Sequence, residues 1–229
     1  MAITLAFDVY GTIIDTHGVT VALERHVGER SGEFSRLWRE KQLEYSFRRG
    51  LMQNYRDFSI CTVHALDFAC RYYHVSLSEQ EKEELMNAYR VLPPFQDVRV
   101  GLEEAKDAGF RLFAFSNGKA DAVETLLVNS NIRSFFIDVV SVDEIQTFKP
   151  NPAVYRHFLK RSGSMGNRAW LISSNPFDVI GAVSAGMRAV WVQRNSDAIF
   201  DPWEIEPTIA VKSLAGMAKR IKNKATQPD

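Results

Sequence analysis

The sequence predicts an α/β fold: an open parallel sheet covered by helices on both faces, with an all-helical segment inserted after the first strand. Three observations predict it. From residue 97 onward, short apolar runs alternate with segments of helical period, the pattern of strand–helix–strand units. One comparable run stands alone at residues 3–7. Between the two, residues 16–96 carry helical periodicity and no strand pattern. A chain of 229 residues, 45% hydrophobic and 24% charged, suffices for one sizeable core with a smaller insert. The expected division is an α/β core of residues 1–15 and 97–229 and a helical domain of residues 16–96.

Residues 3–7 are apolar apart from Thr4 and lead into Asp8. That reads as a buried parallel strand with a carboxylate at its C-terminal end, after which Gly11 turns the chain. In the inserted block, Phe34, Leu37, Trp38, Tyr45 and Met52 recur at helical spacing and predict a helix over residues 34–52 with one buried stripe. Ala65, Leu66, Phe68, Ala69 and Tyr72 predict a second stripe. Ser78, with Glu81 three residues on, opens a third helix running to Arg90, and Pro93-Pro94 ends it. A helix over 98–108 then stops at Gly109, and a strand over 111–115 leads into Ser116-Asn117-Gly118. A helix over 120–130, a short strand over 138–141, the turn Lys149-Pro150-Asn151-Pro152 and a helix over 152–161 follow. A strand over 169–172 runs into Ser173-Ser174-Asn175-Pro176, a helix over 177–185 stops at Gly186, and residues 188–192 form the fifth strand. Lys219, Arg220, Lys222 and Lys224 read as the solvated face of a last helix.

Composition removes several classes of function. Twenty-eight basic groups cancel 28 acidic ones, which argues against binding nucleic acid by neutralising phosphates. No run of 18 apolar residues predicts a membrane span, and the start lacks the basic-then-apolar pattern of a signal peptide. The expected location is the cytoplasm. Cys61 and Cys70 have no CxxC partner and read as small buried hydrophobes. His17, His26, His64, His74 and His157 are scattered, with no metal-ligand spacing.

Ligands of open α/β sheets gather beyond the carboxyl ends of the strands. Four polar clusters fall there: residues 8–12, Ser116-Asn117, Lys149, and residues 173–178. Each alone has a plain structural reading, since Ser or Asn after a strand commonly caps a helix and a single lysine can be a surface residue. Together at one edge, two carboxylates, hydroxyls and a lysine are the parts of a nucleophilic site. A helical insert leaving from the end of the first strand would lie over that site as a lid.

The segments FDVYGT, SNG, KP and SSNPFD resemble the motifs of the haloacid dehalogenase superfamily. WREKQLEYSFRRGLM and the later AVYR resemble its narrower branch, the type II L-2-haloacid dehalogenases. The resemblance covers nearly the whole chain. It implies a Rossmann-like parallel core with a helical cap domain, and hydrolysis of short L-2-haloacids to R-hydroxyacids and halide. In the implied mechanism Asp8 attacks the halogen-bearing carbon and forms an ester, Lys149 keeps Asp8 charged, and Arg39 from the cap, assisted by Asn117, accepts the halide. Gln42 and Leu43 share a helix face with Arg39; Leu43, Phe58 and Tyr10 wall an apolar slot. Ser116 grips the substrate carboxylate. Asp178 is the base for the hydrolytic water, Ser173 and Asn175 hold the geometry, and Thr12 and Tyr155 support Asp8 and Lys149. Phe177 replaces a tryptophan and Pro176 an alanine of the best-known members, which leaves the range of leaving groups open. The resemblance also implies a homodimer.

A phosphatase of the same superfamily is the main alternative. It needs an acid two residues after the nucleophile, where this chain has Tyr10, a phenol of pKa near ~10. It also needs a magnesium carboxylate where Ser174 stands. A halide leaves without a proton, so neither is required for dehalogenation, and no metal or cofactor is expected. A non-catalytic scaffold of the same fold is a second alternative, one with no use for the retained Asp8, Arg39, Lys149 and Asp178.

Overall fold

The computed structural model describes residues 2–226. Its strands are β1 (Thr4–Phe7), β2 (Arg111–Ser116), β3 (Asp138–Ser141), β4 (Ala169–Ser173), β5 (Arg188–Val192) and β6 (Ile209–Val211). They form one parallel sheet in the order β3-β2-β1-β4-β5-β6. All four residues of β1 are buried, as expected of an apolar strand covered on both faces. Phe7 lies level with Ala114 of β2 and Ile172 of β4. The chain proceeds from β1 to one side and later returns to the other, so a crevice opens beside β1 at its carboxyl end. Asp8 and the last residues of β2 and β4, Ser116 and Ser173, emerge together there.

Helices α1 (His17–Val27), α2 (Ser31–Leu51), α3 (Phe58–Tyr73) and α4 (Glu79–Ala88) fill the chain between β1 and α5 (Val98–Asp107). The outgoing and returning segments lie side by side: Asp15 N donates to Pro93 O at 2.9 Å and Phe95 N to Ile13 O at 3.2 Å. The remaining helices, α6 (Ala120–Asn129), α7 (Pro152–Ser162), α8 (Pro176–Ser184) and α9 (Met217–Ala225), cover the sheet. Local chemistry sets their ends. Ser78 and Glu81 form a reciprocal capping box on α4. Asn151 caps α7 ahead of Pro152, a contact of about 1 kcal/mol.

Three sequence expectations are corrected. Met52 lies past the end of α2 and is 64% exposed; the buried line of that helix runs instead through the polar Gln42 and Ser46, which an apolar template excludes. Tyr72, placed in the second stripe, is 62% exposed. The sheet also has a sixth strand, three residues long at the edge, too short for its buried–exposed–buried alternation to stand out. Cys61 and Cys70 are free and buried, and burial pushes both thiols above the ordinary range. Among the described residues no helix is long and apolar enough to cross a membrane.

Candidate active site

Asp8 leaves β1 with its amide bonded to Ile172 O at 2.9 Å. Its carboxylate is 8% exposed at residue level and meets four donors. Oδ2 accepts from Thr12 Oγ1 at 2.8 Å, Asn175 Nδ2 at 2.8 Å and Ser173 Oγ at 3.2 Å. Among the described residues, Oδ1 accepts only from Lys149 Nζ, at 3.1 Å. Each donor is itself oriented. Thr12 Oγ1 accepts from Ser174 N, and Ser173 Oγ from Asn175 N. Asn175 stands at the N-cap position of α8, yet its side chain makes no capping bond there and reaches Asp8 instead.

Lys149 is buried. Its ammonium donates to Asp8 Oδ1, to Asp178 Oδ2 at 2.8 Å and to Phe115 O at 2.9 Å, which uses all three protons. Burial opposes its charge, but Asp178 and Asp8 outweigh burial and hold it above the ordinary lysine range. Asp178, wholly buried, is displaced upward: burial raises it most and the Asp8 charge adds, against the pull of Lys149. Tyr155 donates to Asp178 Oδ1 at 2.8 Å. Gly181 makes room for it, since a Cβ there would collide with the Tyr155 hydroxyl. Asn117 Oδ1 accepts from Lys149 N at 3.0 Å, so this side chain fixes the lysine turn. Ser116 Oγ accepts from Gly118 N, which leaves its own proton free to donate.

A cavity of about 260 Å³ opens between the inserted helices and the loops after β1 and β2, lined by Tyr10, Arg39, Phe58, Thr62, Tyr89 and Gly118 among others; none of the residues of the Asp8 network lines it. Arg39 and Phe58 are brought to Tyr10 as the sequence expected. Gln42 is not a lining residue: it lies wholly buried behind Arg39. Leu43 and Phe177 do not line this cavity either. Phe177 packs edge-on to Phe47 at 5.1 Å and borders a separate apolar cleft. Helical spacing gives the face of α2, and it gives no account of how the loop before α8 turns.

Sequence reading missed two residues here. Arg194 follows β5 at the same sheet edge; it donates twice to Thr12 O, at 2.7 and 3.0 Å, and pairs with both oxygens of Asp97 at 2.8 Å. The strand-end rule that found Asp8 also points to it. Tyr89, four residues ahead of Pro93, carries no local signal at all. Burial pushes Tyr10 up to about 12.

Comparison with known proteins agrees with this chemistry. Residues 5–192 match the haloacid dehalogenase-like hydrolase family. The chain is 36% identical over 219 residues to (S)-2-haloacid dehalogenase of Pseudomonas putida, covering 96% of each. It is 35% identical over 217 residues to haloacetate dehalogenase H-2 of Moraxella sp. (strain B), covering 95% of this chain and 96% of the relative. The solved L-2-haloacid dehalogenase of Xanthobacter autotrophicus superposes with a TM-score of 0.88 at 29% identity, over 97% of this chain and 99% of that one. A second structure of that enzyme carries covalently bound chloropropionic acid.

Proposed function

Since the chain belongs to the haloacid dehalogenase-like hydrolases, we propose that it hydrolyses short L-2-haloalkanoic acids to R-2-hydroxyacids and halide through an ester on Asp8. Residues 1–15 and 97–229 are the catalytic domain in this reading, and residues 16–96 the cap. The observation that carries it is the unequal loading of the Asp8 carboxylate. Among the described residues Oδ2 is held by three donors and Oδ1 by Lys149 alone. Oδ1 is therefore the oxygen available to attack the halogen-bearing carbon from behind, displacing halide and inverting the centre.

Oδ2 then becomes the ester carbonyl oxygen. When water adds to that carbonyl, negative charge gathers on Oδ2, where Thr12, Ser173 and Asn175 already point. Asp178, displaced upward by burial, takes the proton of the water, and Tyr155 and Lys149 hold it in place. Collapse returns the Asp8 carboxylate and releases the alcohol with the original Oδ1. Arg39, with Asn117, receives the halide; Ser116 and nearby amides hold the substrate carboxylate. Tyr10 and Phe58 flank its alkyl group, and Gln42 steadies Arg39. The covalent chloropropionic acid on the Xanthobacter relative supports an ester intermediate.

Phosphate ester hydrolysis is not favoured. Tyr10, pushed up to about 12, is a poor acid for an alkoxide. A magnesium ion does not fit the residues present: the Lys149 ammonium already lies between Asp8 and Asp178, at 3.1 and 2.8 Å, and Ser174 donates to Gly11 O where a carboxylate ligand is required. The reaction is metal-independent in this reading. The free buried cysteines suit a reducing cytoplasm, and the exposed Leu51, Met52 and Tyr72 of the cap give apolar surface for a homodimer.

A single turnover of L-2-chloropropionate with enzyme in excess in heavy-oxygen water tests the ester. The lactate is expected to be unlabelled and the Asp8 peptide to gain the isotope. Isotope in the lactate instead means direct attack by water and overturns the reading.

A further inference from the structure

Tyr89 takes no part in the mechanism above, yet it stands beside the proposed halide acceptor. Its ring lies edge-on to Tyr10 at 6.1 Å and to Trp38 at 5.6 Å, and it lines the same cavity as Arg39. Behind both lies the buried amide of Gln42, engaged at each end: Nε2 donates to the Tyr89 hydroxyl at 2.8 Å, and Oε1 accepts from Arg39 Nη1 at 3.4 Å. A phenol that accepts one hydrogen bond keeps its own proton to give, and among the described residues no acceptor takes that proton. Burial also holds the hydroxyl above the ordinary phenol range, so it remains protonated at neutral pH. With the amide N–H taking one lone pair of the oxygen, the O–H is left for an acceptor in the cavity that Tyr89 and Arg39 both line.

We propose that Tyr89 is a second anion donor of this cavity, its O–H held by Gln42 so that it hydrogen-bonds the departing halide beside Arg39. This rests on the reading that halide departs towards Arg39. Gln42 makes the two donors one unit, since a shift of its amide moves both. A consequence follows for the leaving group. A small halide concentrates its charge and takes a stronger hydrogen bond than a large, diffuse one. Loss of the hydroxyl therefore falls most heavily on chloride. A side chain that serves only packing slows every halogen alike.

The test compares wild type with Tyr89→Phe on L-2-chloro-, L-2-bromo- and L-2-iodopropionate, with inhibition by added sodium chloride. We expect kcat/KM to fall about tenfold for the chloro acid, the scale of a hydrogen bond to a charged group, and less in the order bromo, iodo. The inhibition constant for chloride is expected to rise several-fold. Equal losses on all three acids with unchanged chloride inhibition, or no loss, overturn the assignment. Gln42→Leu keeps the hydroxyl but cuts its tie to Arg39; the same halogen order is expected of it, and a halogen-blind loss counts against the proposal even where Tyr89→Phe folds poorly. Wild type that releases no halide from any of the three acids overturns the underlying reaction and this assignment with it. Release by wild type with a halogen-blind Tyr89→Phe overturns the assignment alone.

Discussion

The two walls of the site are built differently. On the core wall, Asp8, Thr12, Lys149, Tyr155, Ser173, Asn175 and Asp178 are joined by hydrogen bonds of 2.8 to 3.2 Å, and the partners are themselves anchored to the sheet edge. On the cap wall, Arg39 has a single polar contact among the described residues, 3.4 Å to Gln42, and shares a cavity lining with Tyr10, Phe58 and Tyr89. In the proposed reaction, bond making at carbon requires the nucleophile to be fixed within a fraction of an ångström, which suits the core wall, whereas a departing anion varies in size, which suits a long side chain beside aromatic rings.

Asp8→Asn breaks the comparison most severely. The amide keeps the shape and loses the charge, and turnover is expected to fall by at least about 10⁴-fold, read as halide release from L-2-chloropropionate. Residual activity near wild type would move the nucleophile elsewhere and leave the donors around Oδ2 without a purpose. Arg39→Lys is the matching change on the cap. It keeps a cation but loses the planar fork, and a fall of about 10²-fold in kcat is expected, the scale of one lost anion donor. A rate close to wild type would show that the cap wall needs charge alone and no geometry.

The same contrast explains what was legible in the sequence. The core wall follows from topology: parallel strands end at one edge, so polar residues just past apolar runs converge. Asn175 marks the limit of that reasoning, because an Asn before Pro176 looks like a helix cap, and only the folded chain turns it to Asp8. Asn151, of the same type and also before a proline, does cap its helix. The cap wall has no such edge. Arg39 borders an apolar stripe as many surface arginines do, and family resemblance singled it out. Gln42 and Ser46 are buried polar residues that interrupt the helical pattern. Phe177, which the family resemblance puts at the pocket edge in place of a tryptophan, packs on Phe47 beside a separate cleft.

The smallest change sharpens the comparison within the core wall itself. Tyr155→Phe removes one donor from Asp178 and leaves the donors of Asp8 in place. Phenylalanine fits the space that Gly181 leaves for the tyrosine ring. Burial already displaces Asp178 upward, so the acid limb of kcat is expected above the ordinary aspartate value of about 3.9. The tyrosine O–H favours the charged carboxylate and so lowers that limb. Without it the carboxylate binds its proton more tightly, and a base must be unprotonated to act. The acid limb of Tyr155→Phe is therefore expected to move to higher pH. The alkaline limb, governed by a lysine that Asp178 and Asp8 hold above its ordinary range, is expected to stay put. A kcat profile from about pH 4 to pH 10 reads the acid limb, the lysine limb lying above that window. An acid limb that stays at its wild-type position would mean that some group other than Asp178 receives the proton of the hydrolytic water, and the core wall would then divide its work differently from the way its hydrogen bonds are arranged.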